Sequence, residues 1–306
     1  MGPETESAER PVRTSVWLAG AGKGKPSART RRGGATPPAE SPSGNPSGSS
    51  SGSPSGTPAG SPSGTASGTP SGHPSGLDRD RITAASVALL DAEGPAKFSM
   101  RRLAAELGVT AMSLYWYVDT KDDLLELALD AVFGEVTVPD LTDEDADWRD
   151  QLRALAASYR AVLVRHHWVS PLVGKYLNIG PRSMEFSAAV QAVLGRTGLA
   201  QQDQMGGIGA VFQFVYGFGT VEGHYVQRCA DAGLSQDAYF RQAMGAIGQQ
   251  PGYEGTFDNA GRIMAARGGD TVEEMRQRDF DFALDLLVAG IETMRDRPGG
   301  GSGGGA

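Results

Sequence analysis

The apolar residues of this chain recur at helical intervals through residues 77–297. Apolar side chains three and four positions apart share one face of an α-helix, whereas strands show strict alternation. Alternating runs bounded by turn residues are scarce in this stretch. The spacing therefore predicts an all-α protein.

The sequence before residue 77 lacks the apolar side chains that a folded domain needs. Residues 41–76 repeat a short Pro-Ser-Gly unit, which mixes Gly-Ser joints with Pro-stiffened steps. Large apolar residues are almost absent after Leu18, so burial cannot offset the entropy of ordering this segment. We predict disordered tails at residues 1–76 and at the glycine-rich residues 298–306.

A group of basic residues precedes that repeat, in the segment AGAGKGKPSARTRRGG. Its glycines and Lys25 miss the G-x-x-x-x-G-K-[ST] spacing of a phosphate-binding loop, and no strand pattern precedes them. A solvated basic arm is the simpler interpretation, and such arms add salt-sensitive contacts to DNA. Its basic residues are Lys23, Lys25, Arg29, Arg31 and Arg32.

Net charge and cysteine content restrict the classes of function. The chain has a formal charge of -8, and residues 1–76 hold seven Lys/Arg against four Asp/Glu, so the remainder stands at -11. A globally basic nucleic-acid binder is excluded, but a locally basic face still attracts DNA, because salt screens charges beyond about 10 Å. The single Cys229 excludes an intrachain disulfide, and neither a membrane span nor a signal peptide is evident. We expect a cytoplasmic protein.

Two short helices joined by a glycine turn are predicted in the first part of the foldable region. Ser99 is suited to cap the first helix, Gly108 ends it where a left-handed backbone costs little, and Thr110 caps the second. This layout is that of a helix-turn-helix. With the preceding helix, which Asp78 caps, it forms a predicted DNA-binding domain at residues 77–135.

The second of these helices should lie in the major groove, with its first turn facing base edges. Leu114 and Val118 supply its inward face, and Trp116 is expected to pack between helices. Hydroxyl groups bind phosphate or base acceptors, and a methionine packs on a thymine methyl group. On pattern alone, the same turn also occurs in ordinary helical cores. The candidate DNA-binding residues are Arg101, Thr110, Ala111, Met112, Ser113, Tyr115, Tyr117 and Lys121.

The run FSMRRLAAELGVTAMSLYWYVDTKDDLLELALD resembles the DNA-binding domain of the TetR family of repressors. LYWYV followed by K-x-x-L-L is similar to the tetracycline repressor branch of that family, and the resemblance covers residues 77–130 without a gap. Ala111 and Met112 differ in type from that branch, which implies a different operator. The resemblance implies base contacts from Arg101, Ala111, Met112 and Ser113, and phosphate contacts from Tyr115, Tyr117 and Lys121.

The remaining helices form a predicted regulatory and dimerisation domain at residues 145–297. Helices are expected at residues 147–166, across the glycine-rich QMGGIGAVFQFVYGFGTVEGHYVQR and at residues 273–295. The last two resemble the helices with which TetR-family repressors form a four-helix bundle across a dimer. A helix-turn-helix also reads only a half-site, so a twofold partner is expected. The dimer-seam candidates, for which intrachain core is an equally open interpretation, are Val215, Phe218, Val221, Phe280, Phe282, Leu284, Leu287 and Ile291.

The resemblance also implies a small-molecule inducer inside this domain, in a mostly apolar pocket with a few polar anchors. Glu222 falls where tetracycline repressors place an acidic residue near a drug–magnesium chelate. The segment VSPLVGKYLNIGPR has no histidine where those repressors bind the metal, so we expect another ligand, without metal or cofactor. For His166 and His167, a surface or core role is favoured over ligation. The candidate lining residues are Tyr159, Leu163, His166, His167, Trp168, Tyr176, Phe186, Phe212, Tyr216 and Glu222.

These inferences give the hypothesis of a homodimeric repressor that binds a palindromic operator and that a small-molecule inducer releases. The inducer would favour a form whose two reading helices are wrongly spaced for successive grooves, with the helix near residues 123–133 as the connection. An enzyme is one alternative, and the lack of a nucleophile–base–acid set, a phosphate loop and a metal motif argues against it. The other is a non-catalytic helical interaction module with a vestigial helix-turn-helix.

Overall fold

A computed structural model describes residues 15–19, 76–248, 262–263 and 266–297. The regular elements within these residues are all α-helices, which confirms the predicted fold class. No helix in this part of the chain combines the length and apolarity needed to cross a lipid bilayer. The Pro-Ser-Gly repeat, the basic arm and the glycine-rich 298–306 tail lie outside the described residues, so their predicted disorder stays a prediction.

The described residues form a reading unit, made of the second to fourth helices, and a body, made of the sixth to eleventh. One long helix connects the two, and a short helix precedes them all. In chain order the helices are α1 (Val16–Ala19), α2 (Arg79–Lys97), α3 (Met100–Leu107), α4 (Ala111–Leu114), α5 (Lys121–Phe133), α6 (Trp148–Arg165), α7 (Val169–Val173), α8 (Pro181–Gly195), α9 (Gln201–Asp231), α10 (Gln236–Gly248) and α11 (Val272–Arg295).

The helices of the reading unit begin at the caps that the sequence predicts. The side chains of Asp78, Ser99 and Thr110 each accept a hydrogen bond from the backbone N–H three residues further on. Each cap satisfies one of the N–H groups that the start of a helix leaves unpaired. Gly108 follows α3 at φ 67°, in the left-handed conformation that glycine tolerates. Local sequence therefore determines the turn between α3 and α4.

Two helix boundaries in the reading unit depend on local backbone conformation. The Gly94-Pro95 pair predicts a helix end, and Gly94 has a non-helical φ of 74° that separates the two helical segments of α2. The helix α4 has only four residues, and tighter turns follow it, in which the N–H of Tyr117 donates to the carbonyl of Leu114 at 2.9 Å. A run of aromatic residues followed by β-branched Val118 has weak helix propensity, which accounts for the early end.

The helix α5 lies at the centre of the protein, with ten of its thirteen residues buried. It packs on α2 of the reading unit and on α6, α7 and α8 of the body. A helix that is buried on nearly every side belongs to an interior rather than to a surface. It therefore connects the two parts, as the sequence predicts, and it begins two residues earlier than expected.

Three buried carboxylates on α5 accept hydrogen bonds at the starts of three helices. Asp123 completes a capping box at the start of α5 itself. Glu126 accepts the N–H of Val16 in α1 at 3.1 Å, and Asp130 accepts the N–H of Ser183 in α8 at 2.9 Å. Because an unpaired buried charge is costly, these bonds explain how acidic residues are accommodated in an interior helix.

In the body, α6 and α9 approach each other closely through glycine. A Cβ atom at Gly223 would lie 2.9 Å from the carbonyl oxygen of Leu163, and one at Gly219 would lie 3.0 Å from the Leu163 Cδ1. The glycine-rich composition of α9 predicts this close backbone contact, and the structure confirms it. The same two helices share a buried ion pair, in which Arg160 Nε lies 2.6 Å from Glu222 Oε2.

Residues 15–19 fold back onto α5, which departs from the prediction that all of residues 1–76 are disordered. Ser15 Oγ donates to Glu126 Oε2 at 2.5 Å, and Val16 and Trp17 pack against the hydrophobic core. The prediction missed this contact because a few apolar residues in a polar tail cannot form a core alone. The carboxylate of Glu126, which binds Ser15, lies 111 residues further along the chain.

Candidate DNA-reading surface and effector region

The helix α4 presents a candidate reading surface above a buried support. Leu114 and Val118 are buried, as the sequence predicts. On the outer side, Met112 is 70% exposed and Tyr115 is 44% exposed. Arg101 on α3 is exposed as well. Methionine, tyrosine and arginine side chains are therefore exposed to solvent on this side of the reading unit.

The first turn of α4 places three further candidates at the same surface. Thr110 is exposed, and Ala111 and Ser113 are half-buried. The Oγ1 atom of Thr110 accepts the N–H of Ser113 at 3.3 Å and lies 2.9 Å from the Ser113 Oγ. These short side chains allow a close approach of the helix to a ligand, while the cap holds its first turn in place.

Tyr117 and Lys121 have intrachain partners that differ from their predicted phosphate contacts. The hydroxyl of Tyr117 donates to the carbonyl of Leu77 at 2.6 Å. The Nζ of Lys121 donates to the carbonyl of Pro95 at 3.4 Å and lies 5.6 Å from the centroid of the Phe98 ring. Both residues join separate segments of the reading unit, and their phosphate contacts stay a prediction.

Trp116 is more exposed than the sequence predicts. It was expected to pack between helices, but it is 70% exposed and extends the surface formed by Met112 and Tyr115. The helical spacing of α4 does not extend past Leu114, because tighter turns follow that residue. A helical pattern therefore misplaces the side chain of Trp116. An exposed tryptophan beside a candidate reading helix is a further candidate contact that the sequence pattern missed.

Arg102 has a structural role in the reading unit, unlike the neighbouring Arg101. Its guanidinium lies 2.6 Å from Glu93 at the end of α2 and 3.3 Å from Glu106 on α3. The hydrogen bond and the charge of Glu93 raise the pKa of Arg102. These contacts are exposed and hold α3 against α2.

The candidate effector region is an aromatic cluster in the body. The ring of Tyr159 lies 5.1 Å from that of Phe186 and 6.2 Å from that of Phe212. Phe133 at the end of α5, which the sequence did not single out, lies 5.8 Å from Phe186. Burial raises the pKa of Tyr159, and nearby Tyr216 raises it further. Three predicted lining residues are thus brought together beside the helix that leads to the reading unit.

Two further candidates extend this cluster by one helical turn. Leu163 is four residues beyond Tyr159 on α6 and is buried. Tyr216 is four residues beyond Phe212 on α9, and its hydroxyl donates to the carbonyl of Ser170 at 2.9 Å. Both side chains therefore belong to the faces of α6 and α9 that carry the aromatic cluster.

Three other candidates have different surroundings. The hydroxyl of Tyr176 donates to Asp122 near the start of α5 at 2.7 Å. Glu222 is paired with Arg160, whose guanidinium stacks on aromatic rings of α9 and α11. His167 follows α6, and burial lowers its pKa. The structure therefore brings together five of the ten ligand candidates and leaves these three with separate contacts.

His166 and Trp168 form a contact between the body and the reading unit. The Nδ1 atom of His166 lies 2.7 Å from Asp91 on α2, and its Nε2 lies 3.1 Å from Glu135. The indole of Trp168 donates to the same Asp91 at 2.6 Å. Burial alone would lower the pKa of His166, but the hydrogen bonds to the two carboxylates raise it above its ordinary value.

The fold and this surface define a class: a helix-turn-helix joined by one buried helix to a helical regulatory body is the architecture of a transcriptional regulator. The family model for "Bacterial regulatory proteins, tetR family" matches residues 82–128. The model for "Tetracyclin repressor-like, C-terminal domain" matches residues 139–295. The chain therefore belongs to the TetR family of transcriptional regulators, whose members regulate transcription rather than catalyse a reaction.

Individual relatives agree with this assignment. An "HTH-type transcriptional regulator" of Saccharopolyspora erythraea is 37% identical over 215 residues, which are 70% of this chain and 84% of that protein. The "HTH-type transcriptional repressor DrrR1" of Streptomyces coeruleorubidus is 32% identical over 222 residues, 71% of this chain and 78% of that protein.

Solved structures show the same fold. The Streptomyces coelicolor TetR family protein ActR in complex with actinorhodin has a TM-score of 0.56 and 25% identity, over 72% of this chain and 99% of that chain. The same protein in complex with (S)-DNPA has a TM-score of 0.55 and 27% identity, over 71% of this chain and 98% of that chain.

Proposed function

We propose that this protein is a cytoplasmic homodimeric repressor that binds a palindromic operator through α3 and α4 and is released by a small-molecule inducer. The single observation that supports this most directly is the exposed Met112–Tyr115 surface above buried Leu114 and Val118. An accessible first turn on a packed support is what major-groove reading requires. A relative named as a repressor adds support.

The proposed operator contacts follow from exposure. Arg101, Ala111, Met112 and Ser113 are proposed to read bases, and Tyr115 to bind phosphate. Trp116 joins them as a further contact at the same surface. Tyr117 and Lys121 are proposed as further phosphate contacts, and in the structure their polar atoms donate to the carbonyls of Leu77 and Pro95. The proposed domains remain residues 77–135 for reading and 145–297 for regulation and dimerisation.

The proposed dimer seam is an exposed apolar stripe on α9 and α11. Val221 is 70% exposed and Phe282 is 67% exposed, and Leu286 and Met294 continue the stripe along α11. Large apolar side chains aligned on two neighbouring helices indicate a surface that a partner covers. Of the other seam candidates, Phe218 and Leu287 are half-buried, and four are buried within the subunit and belong to its core: Val215, Phe280, Leu284 and Ile291.

The proposed inducer is a largely apolar molecule that packs on the aromatic cluster. Aromatic rings offer large, flat faces for stacking, and the hydroxyls of Tyr159 and Tyr216 provide polar anchors. ActR, which shares the fold, is described in complex with actinorhodin and with (S)-DNPA. A ligand beside Phe133 would act directly on the end of α5, which leads to the reading unit.

The test begins with selection of bound fragments from random DNA by the full-length protein. Arg101→Ala combined with Tyr115→Ala should weaken binding to the selected site at least about tenfold, since a base or phosphate contact contributes roughly 1–3 kcal/mol. Leu177→Ala is the matched control, because Leu177 is 65% exposed and lies in the body. An intact dimer that selects no DNA would favour the interaction-module alternative.

A further inference from the structure

The segment Ser15–Ala19 contacts both the reading unit and the body. The indole of Trp17 lies under the guanidinium of Arg79 at the start of α2, 5.7 Å from guanidinium carbon to ring centroid. The same indole borders a small cavity lined by Tyr176, Asn178 and Ser183 of the body. Five residues of the N-terminal tail therefore lie across the junction at which α5 connects the two parts.

The contact with α5 is specific in its chemistry. The buried carboxylate of Glu126 accepts both the hydroxyl of Ser15 and the N–H of Val16. Ser15 Oγ also accepts the N–H of Trp17 at 3.4 Å. A hydroxyl residue two positions before a tryptophan is thus recognised by one charged oxygen and by one groove of mixed polar and apolar lining, which includes Leu129, Tyr176 and Asn178. An arbitrary tail sequence would not satisfy both.

The segment is also suited to leave this groove. A helix of four residues has no stability of its own, so it exists only while docked. Beneath it, Asn178 Oδ1 and Ser183 Oγ are buried without a hydrogen-bond partner among the described residues, and such burial opposes docking. The chain between residues 19 and 76 is long enough to let the segment move away without disturbing α2.

We propose that Ser15–Ala19 is a releasable intramolecular clip that holds the reading unit and the body in one arrangement. Docking joins Glu126 of α5 to Arg79 of α2 through a single short segment. Release leaves α2 and the start of α8 with fewer contacts, so the reading unit moves more easily relative to the body. An effect of the clip on operator affinity rests on the proposed function, whereas its effect on the junction does not.

The test compares full-length Trp17→Ala with full-length Leu18→Ala, the matched control, since Leu18 is 51% exposed. A fluorescent peptide spanning residues 12–22 is added to each protein and its anisotropy is measured. We expect saturable binding to Trp17→Ala below about 1 mM, the local concentration that a tether supplies, and much weaker binding to the control, whose own segment occupies the groove. A peptide with alanine at the serine and tryptophan positions should not bind.

Hydrogen exchange on the same proteins measures the junction itself. Amides at the starts of α2 and α8 should exchange about tenfold faster in Trp17→Ala than in Leu18→Ala, with the interior of α9 unchanged. Equal exchange in the two variants, or no peptide binding to Trp17→Ala, would overturn the proposal. Neither readout involves DNA, so failure of the clip is distinguishable from failure of operator binding.

Discussion

At the scale of single residues, Gly180 determines how α8 begins. A Cβ atom at this position would lie 2.2 Å from Asp130 Oδ1, the atom that accepts the N–H of Ser183. Gly180→Ala should therefore displace a buried carboxylate from its hydrogen bonds and lower the free energy of unfolding by roughly 2–3 kcal/mol. Urea unfolding measures this change. Gly174→Ala, where nothing lies within 4 Å of the added Cβ, should leave stability unchanged.

His166 makes the stability of the junction depend on pH. Asp91 and Glu135 raise its pKa in the folded state. The stabilisation that protonated His166 provides is therefore complete below its unfolded-state pKa of about 6.5. It is lost as pH rises through the folded-state pKa. His166→Gln should lower the thermal midpoint more near pH 6 than near pH 9.

Exposed His224, as His224→Gln, provides the control for this prediction, because among the described residues it forms neither of the carboxylate hydrogen bonds that His166 makes. Thermal unfolding is followed for the three proteins across the same pH range. A difference between wild type and His166→Gln that stays constant with pH would contradict the interpretation.

The residue scale also shows what sequence patterns can predict. The caps at Asp78, Ser99 and Thr110 were predictable because a cap and its N–H lie three residues apart. The partners of Tyr117 and Lys121 were not, because Leu77 and Pro95 lie 40 and 26 residues away. Local chemistry is visible in a sequence, whereas contacts between separate helices depend on their packing.

At the scale of helices, the Arg160–Glu222 pair joins α6 to α9 inside the body. Both side chains are about nine-tenths buried, and the guanidinium lies 4.5 Å from the ring centroid of Phe280 on α11. Glu222→Ala leaves a buried cation without its carboxylate, so it should cost roughly 3–5 kcal/mol of unfolding free energy.

A double variant, Arg160→Met with Glu222→Leu, should recover much of that loss, since well-packed apolar residues replace buried pairs with little penalty. Glu185→Ala removes a partner of Arg182 in an exposed pair and should have no measurable effect. Chemical denaturation of the four proteins provides the comparison. A small effect of Glu222→Ala would mean that water reaches the guanidinium.

Helix periodicity predicted α6, α9 and α11 to within three residues, because each buries a continuous apolar face. It did not predict α1, since that helix depends on Glu126, 110 residues further along the chain. It also placed Tyr176 and Glu222 with the aromatic cluster, although their partners are Asp122 and Arg160. The spacing of apolar residues does not show which polar residues on other helices will pair with a side chain.

At the scale of the whole molecule, the exposed stripe on α9 and α11 makes a prediction about assembly. Phe282→Glu places a charge where the proposed seam would bury it, so the protein should become monomeric at micromolar concentration. Leu177→Glu, at a similarly exposed residue outside the stripe, should remain dimeric. Light scattering after gel filtration distinguishes the two. If the Phe282→Glu protein remains dimeric, the dimer seam does not lie on this stripe.

The single turn of α4 limits how much sequence one subunit can inspect. Four residues rise about 6 Å, which matches roughly two base-pair steps of a duplex. Most positions of a longer target would then influence affinity through groove width and the ease of bending rather than through edge contacts. Targets of this protein should accordingly share mechanical properties of their DNA more than a long common string of bases.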